Sequence, residues 1–162
     1  MKTFVLTVSK EFPKTHKRAG ESTFFVDNIK KLFTNESNKI HTIRGNYNLW
    51  AKRAEQINKG EAVLSIRYWS GNPYNSKQVE ICILKEIGIE NLEFEEKIMT
   101  PFEVIRKKDG RIYTPSLSTL AELANNDGLS LDDFKSWFRD YDLNKPMAVI
   151  HFTKFRYQTP QQ

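Results

Sequence analysis

SNKIHTIRGN, residues 37–46, sets Lys39, His41, Thr42 and Arg44 close together, with Ile40 and Ile43 as their only apolar company. A connector between two helical stretches is normally built from turn residues, whereas this one is dense in groups that donate, accept and carry protons. Its β-branched content predicts a short strand over "KIHTIR" (39–44). On a straight strand Thr42 and Arg44 share a face, while Lys39 points to the other because its spacing from Thr42 is odd. A turn or bulge between them would bring an amine beside a hydroxyl, the makings of a nucleophile and its base. Arg44 would then suit a planar carbonyl, carboxylate or phosphate. Without that bulge these are ordinary solvated side chains on an edge strand, and spacing alone leaves both readings open.

Working outward, "TFVLTV" (3–8) predicts a strand, and "SKEFPKTHKRAGES" (9–22) a basic loop. Residues 23–37 carry apolar side chains at 25, 29, 32 and 33, a helical stripe. "NYNLWAKRAEQINKGE" (46–61) predicts a helix with Leu49, Ala54 and Ile57 inward and Gly60 as its stop. "AVLSIRYWS" (62–70) and residues 78–88 predict paired strands around the "GNPYNS" turn. A further hairpin is expected at Asp109-Gly110. "SLSTLAELANNDGLSLDDFKSWFRDY" (116–141) predicts two helices, the first ending near Asn126. Ser130 opens the second, with Asp133 placed as in a capping box and Phe134, Trp137 and Phe138 as the buried face. "PMAVIHFTKFRY" closes the chain as an alternating strand, Ala148/Ile150/Phe152. Strands broken by short helices predict an α+β fold with a largely antiparallel sheet that curls into a barrel.

The 162 residues suit one domain, with 39% hydrophobic and 28% charged side chains, a globular composition. The start, "MKTFVLTVSK", is too short in apolar residues for a signal-peptide core or a span, and Cys82 is the sole cysteine. A cytoplasmic location without a membrane partner is the expectation. Charge is lopsided: residues 1–60 carry 12 Lys or Arg against 5 Asp or Glu, residues 61–162 carry 13 against 15. A basic first third can dock a nucleic-acid backbone or simply keep the protein soluble. The phosphate-tracking candidates are Lys10, Lys14, Lys17 and Arg18 on the loop, beside His16, with Lys52 and Arg53 on the following helix. Tyr47, Trp50, Tyr68, Trp69 and Tyr74 are the candidate stacking rings, at least two of them core, and "RYWSGNPY" (67–74) is the candidate surface cluster.

Other chemistries lack their residues. His16, His41, His151 and Cys82 are isolated, without CxxC or HxxxH spacing, so neither a metal nor a cofactor is implied. No GxxxxGK[ST], GxGxxG or GxSxG occurs, which removes the commonest nucleotide-hydrolysing and esterase readings. His41 finds no role and is expected as a surface or wall residue.

"SNKIHTIR" resembles the G-x-K-x-x-T-x-R signature of ASCH domains, a branch of the PUA-like superfamily, with Lys39, Thr42 and Arg44 on its K, T and R. "INKGEAVLSIRYW", "LANNDGLSLDDFKSWF" and "MAVIHFTKF" are similar to later parts of the family pattern, so the likeness spans about residues 22–155. It implies a small mixed, largely antiparallel β-barrel of PUA-like type with flanking helices and a cleft under the motif. It also implies recognition of RNA or a modified nucleoside there. Some small bacterial members of the family are amidohydrolases that deacetylate acetylated cytidine nucleosides, and their catalytic positions carry over as Lys39, Thr42 and, in place of a Glu, Asp127. Arg44, Ser37, Tyr47 and Trp69 complete the expected substrate-binding set. The chain departs from the pattern at Asp127, one methylene shorter than Glu, and at Ser37, where the motif has glycine. A module that binds protein rather than nucleic acid is the third class, favoured if Lys39 and Thr42 point apart. Oligomeric state is open.

Overall fold

The computed structural model describes residues 1–95, 100–103, 105–106, 112–113 and 120–157. In chain order it builds β1 (Lys2–Thr7), α1 (Phe25–Lys30) with a 3-10 turn at Leu32–Thr34, β2 (His41–Gly45), α2 (Tyr47–Asn58), β3 (Ala62–Trp69) and β4 (Gln78–Leu84). Then follow β5 (Gly88–Glu95), β6 (Thr100–Glu103), β7 (Ile105–Arg106), β8 (Ile112–Tyr113), α3 (Leu120–Asn126), α4 (Leu131–Phe138) and β9 (Met147–His151). No helix among the described residues is long and apolar enough to cross a membrane.

The α+β class holds, but the barrel does not. The strands form an open sheet ordered β1-β3-β4, a second ordered β2-β9-β5-β6, and the pair β7-β8. A barrel needs its first and last strands to pair, and among the described residues no ladder joins the edges of these sheets. The chain parts them at Lys85–Ile87: residues 78–88, expected as one strand, end at Leu84, and Gly88 begins a strand of the other sheet. β1 runs parallel to β3, and the other ladders are antiparallel. The β3–β4 hairpin forms as expected, with a register shift at Ile66/Arg67. β7 and β8 pair as the expected second hairpin, while its Asp109-Gly110 turn lies outside the described residues.

Packing moves several predicted faces. α2 buries Trp50, Ala54 and Ile57, an i, i+4, i+7 stripe against β3, β5 and β9, and leaves Leu49 exposed. The stripe after residue 23 buries Phe25, Ile29 and Leu32 but exposes Phe33, because the α-helix tightens into the 3-10 turn. β9 does not alternate: all five residues are buried, since the strand lies between β2 and β5 with both faces covered. Ser130 Oγ accepts from Asp133 N–H as the cap of α4, Phe134 and Phe138 are buried, and Trp137 is half-buried against Phe12 and Phe25.

Candidate functional site

The opening segment is not a straight strand. β2 begins only at His41, and Lys39 stands before it in an isolated antiparallel bridge with Asp127. Ile40 N–H donates to Asn126 C=O at 2.9 Å, while Ile40 C=O accepts from Phe152 N–H at 3.0 Å. The chain thus changes partner between positions 39 and 41, and the irregularity cancels the odd spacing. Lys39, Thr42, Arg44 and Asp127 all line one pocket, roofed by Phe25. Ser37 fixes the approach: its hydroxyl accepts from Lys39 N–H at 3.0 Å and donates to Lys39 C=O at 3.1 Å. Ser37 therefore shapes the backbone and does not line the pocket.

Asp127 arrives from the far side because α3 stops there. Gly128, at φ +82°, donates its N–H to Asn125 C=O, and Leu129 N–H reaches Ala124 C=O, the paired bonds of a glycine-terminated helix. The turn between two helices and the acidic member of the site are one feature. A Cβ on Gly128 would lie 3.0 Å from Lys39 Cβ, so the glycine also lets the two segments close.

The chemistry inside is a buried ion pair. Lys39, 1% exposed, donates from Nζ to Asp127 C=O at 2.8 Å and to Asp127 Oδ1 at 3.3 Å, with Nζ 3.9 Å from the Phe25 ring centroid. Burial lowers the Lys39 pKa from its usual value, and the Asp127 charge opposes that only in part. Burial pushes the Asp127 carboxyl up, but Lys39 and His41 together hold it below the ordinary range, so it stays ionised. Arg44 donates to Thr42 Oγ1 at 2.7 Å and to Thr7 C=O at 2.7 Å. No hydrogen bond joins Lys39 Nζ to Thr42 Oγ1; the ammonium is committed to Asp127. The cavity these groups enclose is about 20 Å³, room for about one water.

Behind Asp127 lies a second buried layer, built from His41, Tyr157, His151 and Glu90. His41, expected as a surface or wall residue, is fully buried, with Nδ1 3.4 Å from Asp127 Oδ1 but not aligned for a hydrogen bond. Its Nε2 is 2.5 Å from Tyr157 Oη, which also accepts from Asn126 Nδ2 at 3.1 Å. Across the β2–β9 ladder His41 faces His151, whose Nε2 donates to Glu90 at 2.6 Å. Burial lowers the His151 pKa, with Glu90 opposing. One signal was available: a His inside the apolar run "AVIHF" has to be buried, and its ladder partner with it.

The remaining candidates lie elsewhere. Tyr47 is half-buried against the core, and Trp69 meets Tyr74 at 5.2 Å on the β3–β4 hairpin; neither lines the pocket. Trp50 is core and Tyr68 packs against it, whereas Tyr74 is exposed. Lys14, Lys17 and Lys52 are exposed. Lys10 Nζ donates to Ser70 C=O at 3.1 Å, and Arg53 lies over the Phe4 and Trp50 rings. Arg18, expected to track phosphate, instead pairs with Asp133 at 2.6 Å and with Glu21. The described residues hold no group of three or more metal-ligating side chains.

No family model, curated protein or solved structure matches the chain. The functional reading rests on the site itself and on the residues that resemble the ASCH signature.

Proposed function

We propose that this is an ASCH-type domain that recognises RNA or a modified nucleoside at the Lys39–Thr42–Arg44–Asp127 pocket. One observation carries the reading. Four polar side chains from segments far apart in sequence converge on one cavity, two of them as a buried ion pair. Such a pair contributes little to stability compared with apolar packing, and perturbed ionisable groups lining a cleft mark functional sites. Arg44 supplies a planar donor for a carbonyl, and Lys39 and Asp127 supply a donor and an acceptor for a base edge.

A second reading, deacylation of an acetylated cytidine-type nucleoside, draws on the lowered basicity of Lys39. Thr42 Oγ would attack the amide carbonyl, Lys39 would take the hydroxyl proton and return it to the leaving amine, and water would hydrolyse the acyl-threonine. Ionised Asp127 would orient Lys39, and Arg44 would meet the oxyanion. The reaction needs Lys39 to release a proton to solvent and, as the neutral amine, to swing from Asp127 to Thr42 Oγ1.

Incubation with acetylated cytidine and titration with labelled single-stranded RNA separate the readings. Product that disappears in Lys39→Ala and in Thr42→Ala supports hydrolysis, and product that survives either change removes the mechanism. Saturable binding of nucleoside or RNA, lost in Lys39→Ala, supports recognition. Binding of neither ligand removes both.

A further inference from the structure

Burial of the Lys39–Asp127 pair sets a condition on any use of Lys39 as a base. With those two groups alone, the proton lost by Lys39 goes to solvent. Asp127 is then left a buried anion without its cation, a costly state. A third group meets the same carboxylate oxygen. Asp127 Oδ1 lies 3.3 Å from Lys39 Nζ and 3.4 Å from His41 Nδ1. His41 is fully buried, and that Nδ1 has no hydrogen-bond partner.

The other ring nitrogen decides where the His41 proton sits. Tyr157 Oη accepts from Asn126 Nδ2 at 3.1 Å and stands 2.5 Å from His41 Nε2. If the phenol donated to Nε2, Nδ1 would carry the ring proton towards a carboxylate, and a short, aligned bond would form. The long, misaligned approach is that of two acceptors with no proton between them. Neutral His41 therefore donates from Nε2 to Tyr157 and turns a bare Nδ1 to Asp127.

We infer that His41 is the proton-holding residue of this site: the proton that Lys39 gives up passes through Asp127 Oδ1 to His41 Nδ1 and stays inside the protein. An N–H bond of Lys39 Nζ breaks, and its electron pair remains on that nitrogen. Oδ1 takes the proton and yields it to Nδ1. The ammonium becomes an amine, the carboxylate ends as it began and the imidazole becomes an imidazolium, so the charge of the three is unchanged. Both ring nitrogens then donate, Nδ1 to Asp127 and Nε2 to Tyr157, and the unpartnered atom is satisfied. Lys39 can turn to Thr42 Oγ1 while Asp127 keeps a cation beside it. The use made of the amine rests on the hydrolysis reading; the place of the proton does not.

The surroundings suit the transfer. Burial lowers the Lys39 pKa, and the nearby Arg44 charge lowers it further against the pull of Asp127. On its far side His41 faces His151, ring centroids 5.5 Å apart, with Glu90 and Arg156 beyond. Burial lowers the His151 pKa, so above pH 6.5 that ring is uncharged and does not repel a charge on His41.

Two measurements test the inference. Ring-nitrogen NMR on histidine-labelled protein, assigned with His41→Gln, reads the protonation of each of the three histidines. At about pH 7 the parent should show a neutral His41 with its proton on Nε2. Lys39→Met, which keeps the length of the side chain, should show an imidazolium, because Asp127 has lost its ammonium. A neutral His41 in Lys39→Met, or a parent ring already protonated at Nδ1, overturns the inference. The second measurement is kcat for acetylated cytidine between about pH 6.5 and 8. With the proton retained, the parent's kcat should be flat across that range. In His41→Gln the proton leaves for solvent, so kcat should be low at the acid end and climb about tenfold per pH unit. A purely structural loss would lower the whole profile without changing its slope. A His41→Gln profile parallel to the parent's would therefore overturn the inference and leave hydrolysis standing. Absence of product from the parent would remove the hydrolysis reading, and the spectra would then decide the place of the proton by themselves.

Discussion

Two buried histidine–acid clusters tie the first third of the chain to the late helix pair, and they are built to opposite standards. In one, His16 donates from Nε2 to Asp133 C=O at 2.8 Å and accepts at Nδ1 from Arg18 N–H at 2.9 Å, with its ring stacked on Phe12 at 4.3 Å. Every valence is filled and the Asp133 carboxylate is neutralised by Arg18. In the other, His41 Nδ1 has no hydrogen-bond partner, Asp127 and Lys39 are ions out of contact with bulk water, and a cavity lies against them. A saturated cluster has nothing left to offer a ligand and reads as a clamp that docks the 9–22 loop onto α4. An unsaturated one carries a standing free-energy penalty, which selection tolerates where a ligand or reaction uses it.

Breaking each cluster should separate them. Asp127→Ala strands the Lys39 charge and should cost about 3–5 kcal/mol, the largest effect in the molecule. Lys39→Met combined with Asp127→Leu should recover most of that stability while abolishing ligand binding, because apolar packing replaces a buried pair at little cost. Denaturant unfolding of the three proteins checks this; a double variant no more stable than Asp127→Ala would mean that the pair holds the fold. In the clamp, His16→Ala should cost about 2–3 kcal/mol through lost ring packing and a stranded carbonyl. It should leave nucleoside affinity at the wild-type value, and a tenfold loss there would merge the two clusters into one site.

The contrast also explains what the sequence made legible. Local rules held: Ser130 capping α4, Gly128 stopping α3 and the β3–β4 hairpin all depend on a few neighbouring residues. The barrel failed because closure depends on which distant edges meet, and the chain passes from one sheet to the other at 85–87, where only Lys85 and Glu86 interrupt its hydrophobic pattern. Lys39, Thr42, Arg44 and Asp127 were nameable from their resemblance. Their convergence was not, since it hangs on a single bridge between residues 39 and 127. His41 had no signal beyond the burial of its ladder partner His151, and Tyr157 had none: their contact comes from a C-terminal turn folding back 116 residues later.

Acid sharpens the comparison further. His151 has a depressed pKa in the fold, so the unfolded chain binds its proton first, and stability present above pH 6.5 is lost as pH falls below that value. Asp127, also depressed, contributes stability that is present above 3.8 and lost as pH falls further. Thermal midpoints should therefore decline in two stages between pH 7.5 and 3. His151→Gln should erase the first stage and keep the second; a single transition unchanged in that variant would remove His151 from the account. Tyr157→Phe acts on the same layer more gently, removing the hydroxyl shared by His41 and Asn126 at a cost of about 1 kcal/mol.

The smallest stability effect belongs to the exposed lysines of the 9–22 loop, and it bears directly on the choice between RNA and nucleoside. Lys14→Glu with Lys17→Glu touches no buried contact and should shift stability by less than about 0.5 kcal/mol. If the ligand is a neutral nucleoside held at the Lys39–Asp127 pocket, the double variant binds it as the parent does at every salt concentration. If the basic loop tracks a backbone, the same variant loses RNA affinity at low salt, and the slope of log affinity against log salt becomes shallower by about two contacts' worth. That second result would assign the loop a surface function that His16 and Arg18, saturated inside the clamp, serve only by holding it in place.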